Sequence, residues 1–269
     1  MSLVPLRSGP SWFERHRLKI AFFLPVILLL YAVSIEPAWI ETTHHRVTLG
    51  LKKPIKLAHL TDLHTKELGR REERLLALLE QEAPDAIVIT GDSVHGDGSF
   101  EDAARVIAKM HAPLGVWITP GNWEGWIPNG RRFDVLRRTG AHVLVNEVGA
   151  IREDLWLMGL DDLLSGQPKT DGLANRAPKE AHLIALVHEP VLFERLAGVV
   201  PLVLAGHTHG GQARLPFLPP LWLPPGSGDY VEGWFEAKGS KMYVSRGIGN
   251  SLLEIRFNCR PELAIVNVE

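Results

Sequence analysis

Seven side chains spread along a chain of 269 residues have the types and spacing to hold divalent cations: Asp62, His64, Asp92, Asn122, His188, His207 and His209. Each follows a short apolar run. IKLAHL leads into Thr61-Asp62-Leu63-His64, AIVIT into Gly91-Asp92, and GVWIT into Pro120-Gly121-Asn122. LIALV leads into His188, and LVLA into Gly206-His207-Thr208-His209. An aspartate after a strand is commonly a turn or cap residue, and a lone histidine beside an apolar strand is commonly a core residue, so no member suffices alone. The set is more informative. In D-x-H and H-x-H, residues two apart on extended backbone point the same way, which makes two pincers. Carboxylate oxygen, imidazole nitrogen and carboxamide oxygen suit Mn, Fe, Zn or Mg. A single cysteine, Cys259, excludes a thiolate cluster and an internal disulfide.

Such groups collect beyond the carboxyl ends of strands in α/β proteins, so the surrounding pattern must supply those strands. Apolar runs predict strands over 55–60, 86–90, 115–119, 142–145, 155–159, 183–187 and 202–205. Helical spacing predicts helices over 70–82, 100–111 and 133–138. Three more strands, over 242–245, 253–257 and 263–268, follow without helices between them, which favours a mixed two-sheet α/β sandwich over a purely parallel sheet.

In this order, DLH, GD, GN, a single His and GHTHGGQ resemble the calcineurin-like metallophosphoesterases over about residues 55–269. YVSRGIGNS and IRFNCRPEL resemble the membrane-anchored bacterial phosphodiesterase branch of that family, which includes relatives of the lipid A pathway UDP-diacylglucosamine pyrophosphatases. The resemblance implies a two-sheet mixed αββα sandwich and two divalent metal ions, with Mn favoured. One ion would sit on Asp62, His64, Asp92 and His209, the other on Asp92, Asn122, His188 and His207. Asp92 would bridge, and Asp92, Asn122 and His207 would act at the reaction centre. Two such ions against two carboxylates leave a local positive charge that attracts phosphate. That local charge outweighs a global balance of 29 Lys and Arg against 31 Asp and Glu, which gives no field to recruit nucleic acid.

One position departs from the family pattern. GN is commonly followed by a His that assists the leaving group, whereas this chain reads Gly121-Asn122-Trp123-Glu124. Trp123 cannot protonate anything, although its N–H can donate to a phosphoryl oxygen and its ring can lie against an apolar or base moiety. Substrates with good leaving groups, such as anhydrides or aryl phosphates, lose least from that change. His95 is either a replacement acid or a solvent-facing loop residue, Glu124 a supporting or turn residue, and Arg246 either a phosphate contact or structural. Gly247-Ile248-Gly249 reads as a turn.

The N-terminal region is different in kind. Residues Ile20 to Ile35 carry no charge, and the stretch 18–40 is long enough to cross about 30 Å of hydrocarbon at about 1.5 Å per residue. Arg7, Arg15, Arg17 and Lys19 precede it, and the first basic residue after it is Arg46, so the charge bias places the N-terminus in the cytoplasm. The expected organisation is a cytoplasmic basic segment (1–17), a single transmembrane anchor in the inner (cytoplasmic) membrane (18–40), a linker with the first strand (41–54) and the main domain (55–269) on the outer side. A cleaved signal peptide is the alternative. The loop LPFLPPLWLPP, from Leu215 to Pro225, either packs on its own domain or meets acyl chains at a bilayer. The expected substrate is a phosphorylated lipid or lipid-linked nucleotide such as UDP-diacylglucosamine. The rival readings are a broad envelope phosphodiesterase and a metal-binding scaffold that has lost catalysis.

Overall fold

The computed structural model describes residues 12–96, 100–127 and 131–269. The expected basic segment 1–17 therefore lies mostly outside the described residues. The first element, α1 (Trp12–Ser34), is followed by a short 3-10 turn at Glu36–Ala38. Apolar residues surround its axis, and Phe22, Ile27 and Leu30 are exposed, so α1 is long and apolar enough to cross a membrane.

The chain then alternates strands and helices: β1 (Glu41–Val47), β2 (Ile55–Leu60), α2 (Arg70–Glu82), β3 (Ala86–Thr90), α3 (Phe100–Ile107), β4 (Val116–Thr119), α4 (Asn122–Trp126), α5 (Phe133–Arg137) and β5 (His142–Val143). There follow β6 (Glu147–Arg152), β7 (Leu155–Gly159), β8 (His182–Leu186), α6 (Phe193–Leu196), β9 (Leu202–Ala205), β10 (Gly233–Ala237), β11 (Ser240–Val244) and β12 (Glu262–Val268). One sheet has the order β1-β12-β2-β3-β4-β5, the other β10-β11-β9-β8-β7-β6. Strands β2 to β5 run parallel, with β12 antiparallel to β2; β7, β8, β9 and β11 also run parallel, flanked by antiparallel β6 and β10. The strands preceding the candidate ligands thus end along one edge of each sheet.

Side-chain alternation builds the layers. Leu57 and Val88 face the core between the sheets with Leu157, Ile184 and Leu204, whereas Ala58, Ile87 and Ile89 face α2 and α3. The outer face of the second sheet buries Ala185, Val203 and Met242 against Phe193 and Leu196. Each fully buried large side chain removes apolar surface worth about 1.5–3 kcal/mol. In α2, Leu75, Leu78 and Leu79 form the buried stripe, and Glu72 accepts the Gly69 N–H at 3.1 Å to close the first turn. The architecture is the expected αββα sandwich.

Two strands, β6 and β10, carry no apolar run and were not anticipated, and the strand expected over 253–257 is absent. That segment makes only an isolated bridge, Ala213 to Phe257. Arg256 explains it: the side chain is fully buried and donates to the carbonyls of Arg246, Gly247, Gly249 and Cys259. Its side chain takes acceptors that a neighbouring strand would otherwise use.

Candidate metal centre

The seven candidate ligands arrive from five strand ends and meet between the two sheets. Asp62 and His64 follow β2, Asp92 follows β3, and Asn122 opens α4 just past β4. His188 follows β8, and His207 and His209 follow β9. Asp62, His64 and His209 form one group, and Asp92, His188 and His207 a second, all buried. Asp92 lies between them, its Oδ2 at 3.6 Å from His64 Nε2 and 3.2 Å from His188 Nε2. Asn122 Oδ1 joins the second group, 3.2 Å from His188 Nε2.

The local backbone is strained where the ligands sit. Asp62, His64, Asp92, His207 and His209 all have φ between 44° and 72°, a left-handed region that is uncommon for residues with a Cβ and clusters at functional sites. The bends are held by cross-strand bonds, from Asp62 N–H to Gly91 O, His64 N–H to Asp92 O and Gly206 N–H to His188 O. Glycine is required at two of them. A Cβ at Gly91 would meet His188 Nδ1 at 2.5 Å, and one at Gly206 would meet Thr61 Oγ1 at 1.9 Å.

Hydrogen bonds outside the cluster decide which atoms face inward. His188 Nδ1–H donates to Thr90 O at 2.8 Å, and His207 Nε2–H donates to Pro225 O at 2.7 Å. With both rings neutral, as metal binding requires, their other ring nitrogens are lone-pair atoms, and they face each other at 3.0 Å, beside the Asn122 and Asp92 oxygens. Four acceptors converge there without a donor. In the first group His64 Nε2 and His209 Nε2 are 3.1 Å apart, and Asp62 Oδ1 is buried with no hydrogen bond, 3.2 Å from His209 Nε2. Acceptors so close to one another repel unless a cation lies among them, so the residues fit a divalent metal in each group.

The electrostatics agree. Burial, with a neighbouring imidazole, pushes His64 down and His207 down to about 3, which keeps both neutral with free lone pairs. Burial would lower His188 too, but the Asp92 charge outweighs it and holds the ring well above its ordinary value. The centre demands positive charge at that point.

Around the cluster, Glu124 accepts the backbone N–H groups of Asp92, Ser93 and Gly121 at 3.1, 2.7 and 2.9 Å, tying the Asp92 and Asn122 loops together. Burial and the Asp92 charge push this carboxyl up to about 7 against those bonds. Trp123 donates its backbone N–H to Asp92 Oδ1 at 2.9 Å. Its ring stacks on His95 with centroids 5.0 Å apart and meets His64 edge-on at 5.4 Å. The solvent-facing alternative for His95 is therefore corrected: the ring is buried in the wall of the centre, because Trp123 covers it. Arg246 is not brought to the cluster, since its guanidinium hydrogen bonds Glu41 and faces Glu232 and Glu262. Gly247 and Gly249 pack on Asp62 and Leu63, with Gly249 N–H donating to Asp62 O at 2.6 Å. Arg256, which the sequence leaves as either a phosphate contact or a structural residue, is structural: it braces that turn from behind through the carbonyls of Arg246, Gly247 and Gly249.

Comparison with known proteins agrees with this geometry. The family model described as calcineurin-like phosphoesterase matches residues 55–211. The uncharacterized metallophosphoesterase YkuE of Bacillus subtilis is 30% identical over 254 residues, covering 89% of each chain. Phosphodiesterase YaeI of Escherichia coli is 30% identical over 249 residues, covering 87% of this chain and 90% of its own. A zebrafish (Danio rerio) transmembrane protein with metallophosphoesterase domain is 28% identical over 236 residues, covering 78% of this chain and 52% of its own. With its sandwich, its strand-end cluster and these matches, the chain belongs to the calcineurin-like phosphoesterase family and is a metallophosphoesterase.

Proposed function

We propose that this chain is a membrane-anchored, two-metal hydrolase of phosphodiester or phosphoanhydride bonds, acting on a phosphorylated lipid or a lipid-linked nucleotide such as UDP-diacylglucosamine. The observation that carries the reading is a cavity of about 440 Å³ directly over the cluster. Asp92, Asn122, His207 and His209 form its polar floor, and Trp123, Trp126, Leu221, Trp222, Leu252 and Leu253 its walls. A charged reacting group at the floor and an apolar moiety against the walls describe an amphipathic phosphate ester.

One ion would be held by Asp62, His64, Asp92 and His209 and the other by Asp92, Asn122, His188 and His207; bound there, divalent cations supply the charge that draws in phosphate and acidifies water. The chain's own residues do the rest. Asp92 holds one oxygen toward both groups while Trp123 N–H fixes the other, and the indole walls exclude bulk water from the reacting bond. No imidazole follows Asn122, so proton delivery to a poor leaving group is weak, and anhydrides or aryl esters are the favoured bonds.

The name of the E. coli relative supports diester cleavage, and the charge bias of the N-terminus supports an outward-facing domain. An outward domain favours an envelope phosphodiester over a cytoplasmic UDP-lipid, and a reporter fused at the C-terminus decides the side. The activity is tested with detergent-solubilised full chain and added Mn on aryl and alkyl phosphodiesters, pyrophosphates and phospholipids. Asp92→Asn is expected to lower every rate by about 10³-fold, the scale for removing a principal electrostatic element from a reaction centre. Equal rates in wild type and Asp92→Asn would refute the metal reading; alkyl esters cleaved as fast as aryl esters would refute the leaving-group argument.

A further inference from the structure

We infer that the rim of the cavity, Leu215 to Trp222 with Leu252 and Leu253, is a bilayer-docking surface that sets the mouth of the site against the membrane holding α1. The inference rests on the membrane-anchored reading above, and its occupant is a lipid bilayer.

The apolar side chains at the tip of the loop do not pack on its own domain. Phe217 is wholly exposed, and Leu221, Trp222, Leu252 and Leu253 are each more than half exposed. Phe217 and Leu252 also hold φ of 66° and 55°, a strained conformation for side chains that gain no packing in water. Three prolines and no charge between Leu215 and Leu223 keep the loop stiff, so little freedom is lost on docking, and no charge must be desolvated.

Its position identifies the partner. Gln212, at the start of the loop, donates to the carbonyls of Ser251 and Leu253, and Arg214 N–H donates to Phe257 O. Arg256 N–H in turn donates to Ala32 O in the last turns of α1, and the buried Glu36 carboxylate accepts from Asn258 and Cys259 N–H. The rim and the end of the apolar helix are therefore joined through one short segment. Leu253 is three residues from Arg256, at most about 10 Å of extended chain. A bilayer that takes up α1 lies within reach of the rim. Leu221, Trp222, Leu252 and Leu253 both face outward and line the cavity, so they form a continuous apolar path from the bilayer surface to the cluster.

The test uses the full chain in phosphatidylcholine–phosphatidylglycerol nanodiscs. A fluorescent thiol label at Phe217→Cys should be quenched by acyl-brominated lipid, whereas a label at Lys179→Cys, in an exposed loop, should not; native Cys259 is buried. An unquenched label at 217 overturns the inference, as does a label shielded by a second copy rather than by lipid. A Leu215→Ser, Phe217→Ser, Leu218→Ser triple variant should lose about tenfold on a bilayer-embedded phosphodiester and stay within about twofold on bis(p-nitrophenyl) phosphate, because none of the three lines the cavity. Equal losses on both substrates overturn the inference. A quenched label in a wild type that cleaves only the soluble ester supports docking and refutes the lipid substrate instead.

Discussion

At the strand ends, Asp62, His64, Asp92, His188, His207 and His209 are polar side chains that are buried; around the cavity mouth, Phe217, Leu221, Trp222, Leu252 and Leu253 are apolar side chains that are exposed. The two regions adjoin, and both use left-handed backbone, at five of the buried polar residues and at Phe217 and Leu252. They differ in what holds them. The strand ends are locked by backbone bonds between neighbouring loops, by Glu124 and by glycines that leave no room for a Cβ, whereas the rim is stiffened by its own prolines. Each region is costly for the isolated chain in water, and each cost has an opposite remedy: a cation among converging acceptors in one, hydrocarbon around apolar side chains in the other. Placement against type, held in a defined geometry, marks where the molecule meets something else.

The largest effect should come from loosening the locked region by one methyl group. In Gly206→Ala the new Cβ would meet Thr61 Oγ1 and lie 2.7 Å from Asp62 Oδ2, displacing the carboxylate that receives His207 N–H. Activity with added Mn should fall about 10²–10³-fold, the scale of a misplaced catalytic group, while the fold persists by circular dichroism. Activity within twofold of wild type would mean that the strand-end geometry is not tightly required. Glu124→Gln is the next smaller step. It retains shape but weakens three bonds to backbone N–H groups, and supporting residues of this kind govern about 10–100-fold in metal affinity or activity. Titration with Mn separates the two, since a positioning role predicts that excess metal restores part of the rate.

Much of the locked region was legible in sequence because each ligand follows an apolar run that only a buried strand explains. The expected bounds of β2, β3, β7, β9 and α2 coincide with those observed. The rim loop stood out as a proline-rich apolar stretch, but its exposure depends on what the rest of the fold leaves uncovered, which no local pattern encodes. Long-range contacts account for the other gaps. Glu124 is important through backbone groups of the Asp92 loop, 32 and 31 positions away, and His95 is buried because Trp123 lies over it. The edge strands β6 and β10 have mixed polarity because one side of each faces solvent.

A third buried carboxylate shows whether burial itself or the lack of donors makes the cluster demand a cation. Glu262 is as buried as Asp62, yet it accepts from Tyr243 OH at 2.6 Å, Thr43 OH at 2.7 Å and Arg246 N–H at 3.0 Å. Burial alone would raise its pKa; His45, the Arg246 charge and the two hydroxyls outweigh that and hold it well below the ordinary carboxylate range. A depressed folded-state pKa contributes stability that is present above the unfolded value of about 4.3 and is lost as pH falls through the folded value. Thermal unfolding of wild type should therefore shift down by the equivalent of about 1–2 kcal/mol as pH falls below about 4, and Glu262→Gln should flatten that acid limb. Parallel curves would show that these donors do not stabilise the charged form.

The smallest effect probes the rim's strain. Phe217 holds φ of 66° with its ring in water, so Phe217→Gly removes a steric penalty at the cost of unfolded-state freedom. In detergent-free buffer containing soluble amphipol, unfolding of the variant should be unchanged or stabilised by up to about 1 kcal/mol. His64→Gly, which relieves the same backbone strain among the ligands, should instead lose activity and Mn-dependent stabilisation, because there the side chain is the reason for the bend. A Phe217→Gly variant destabilised by more than about 1 kcal/mol would show that the Phe217 ring packs on the domain after all, and the contrast between the two regions would reduce to one of polarity alone.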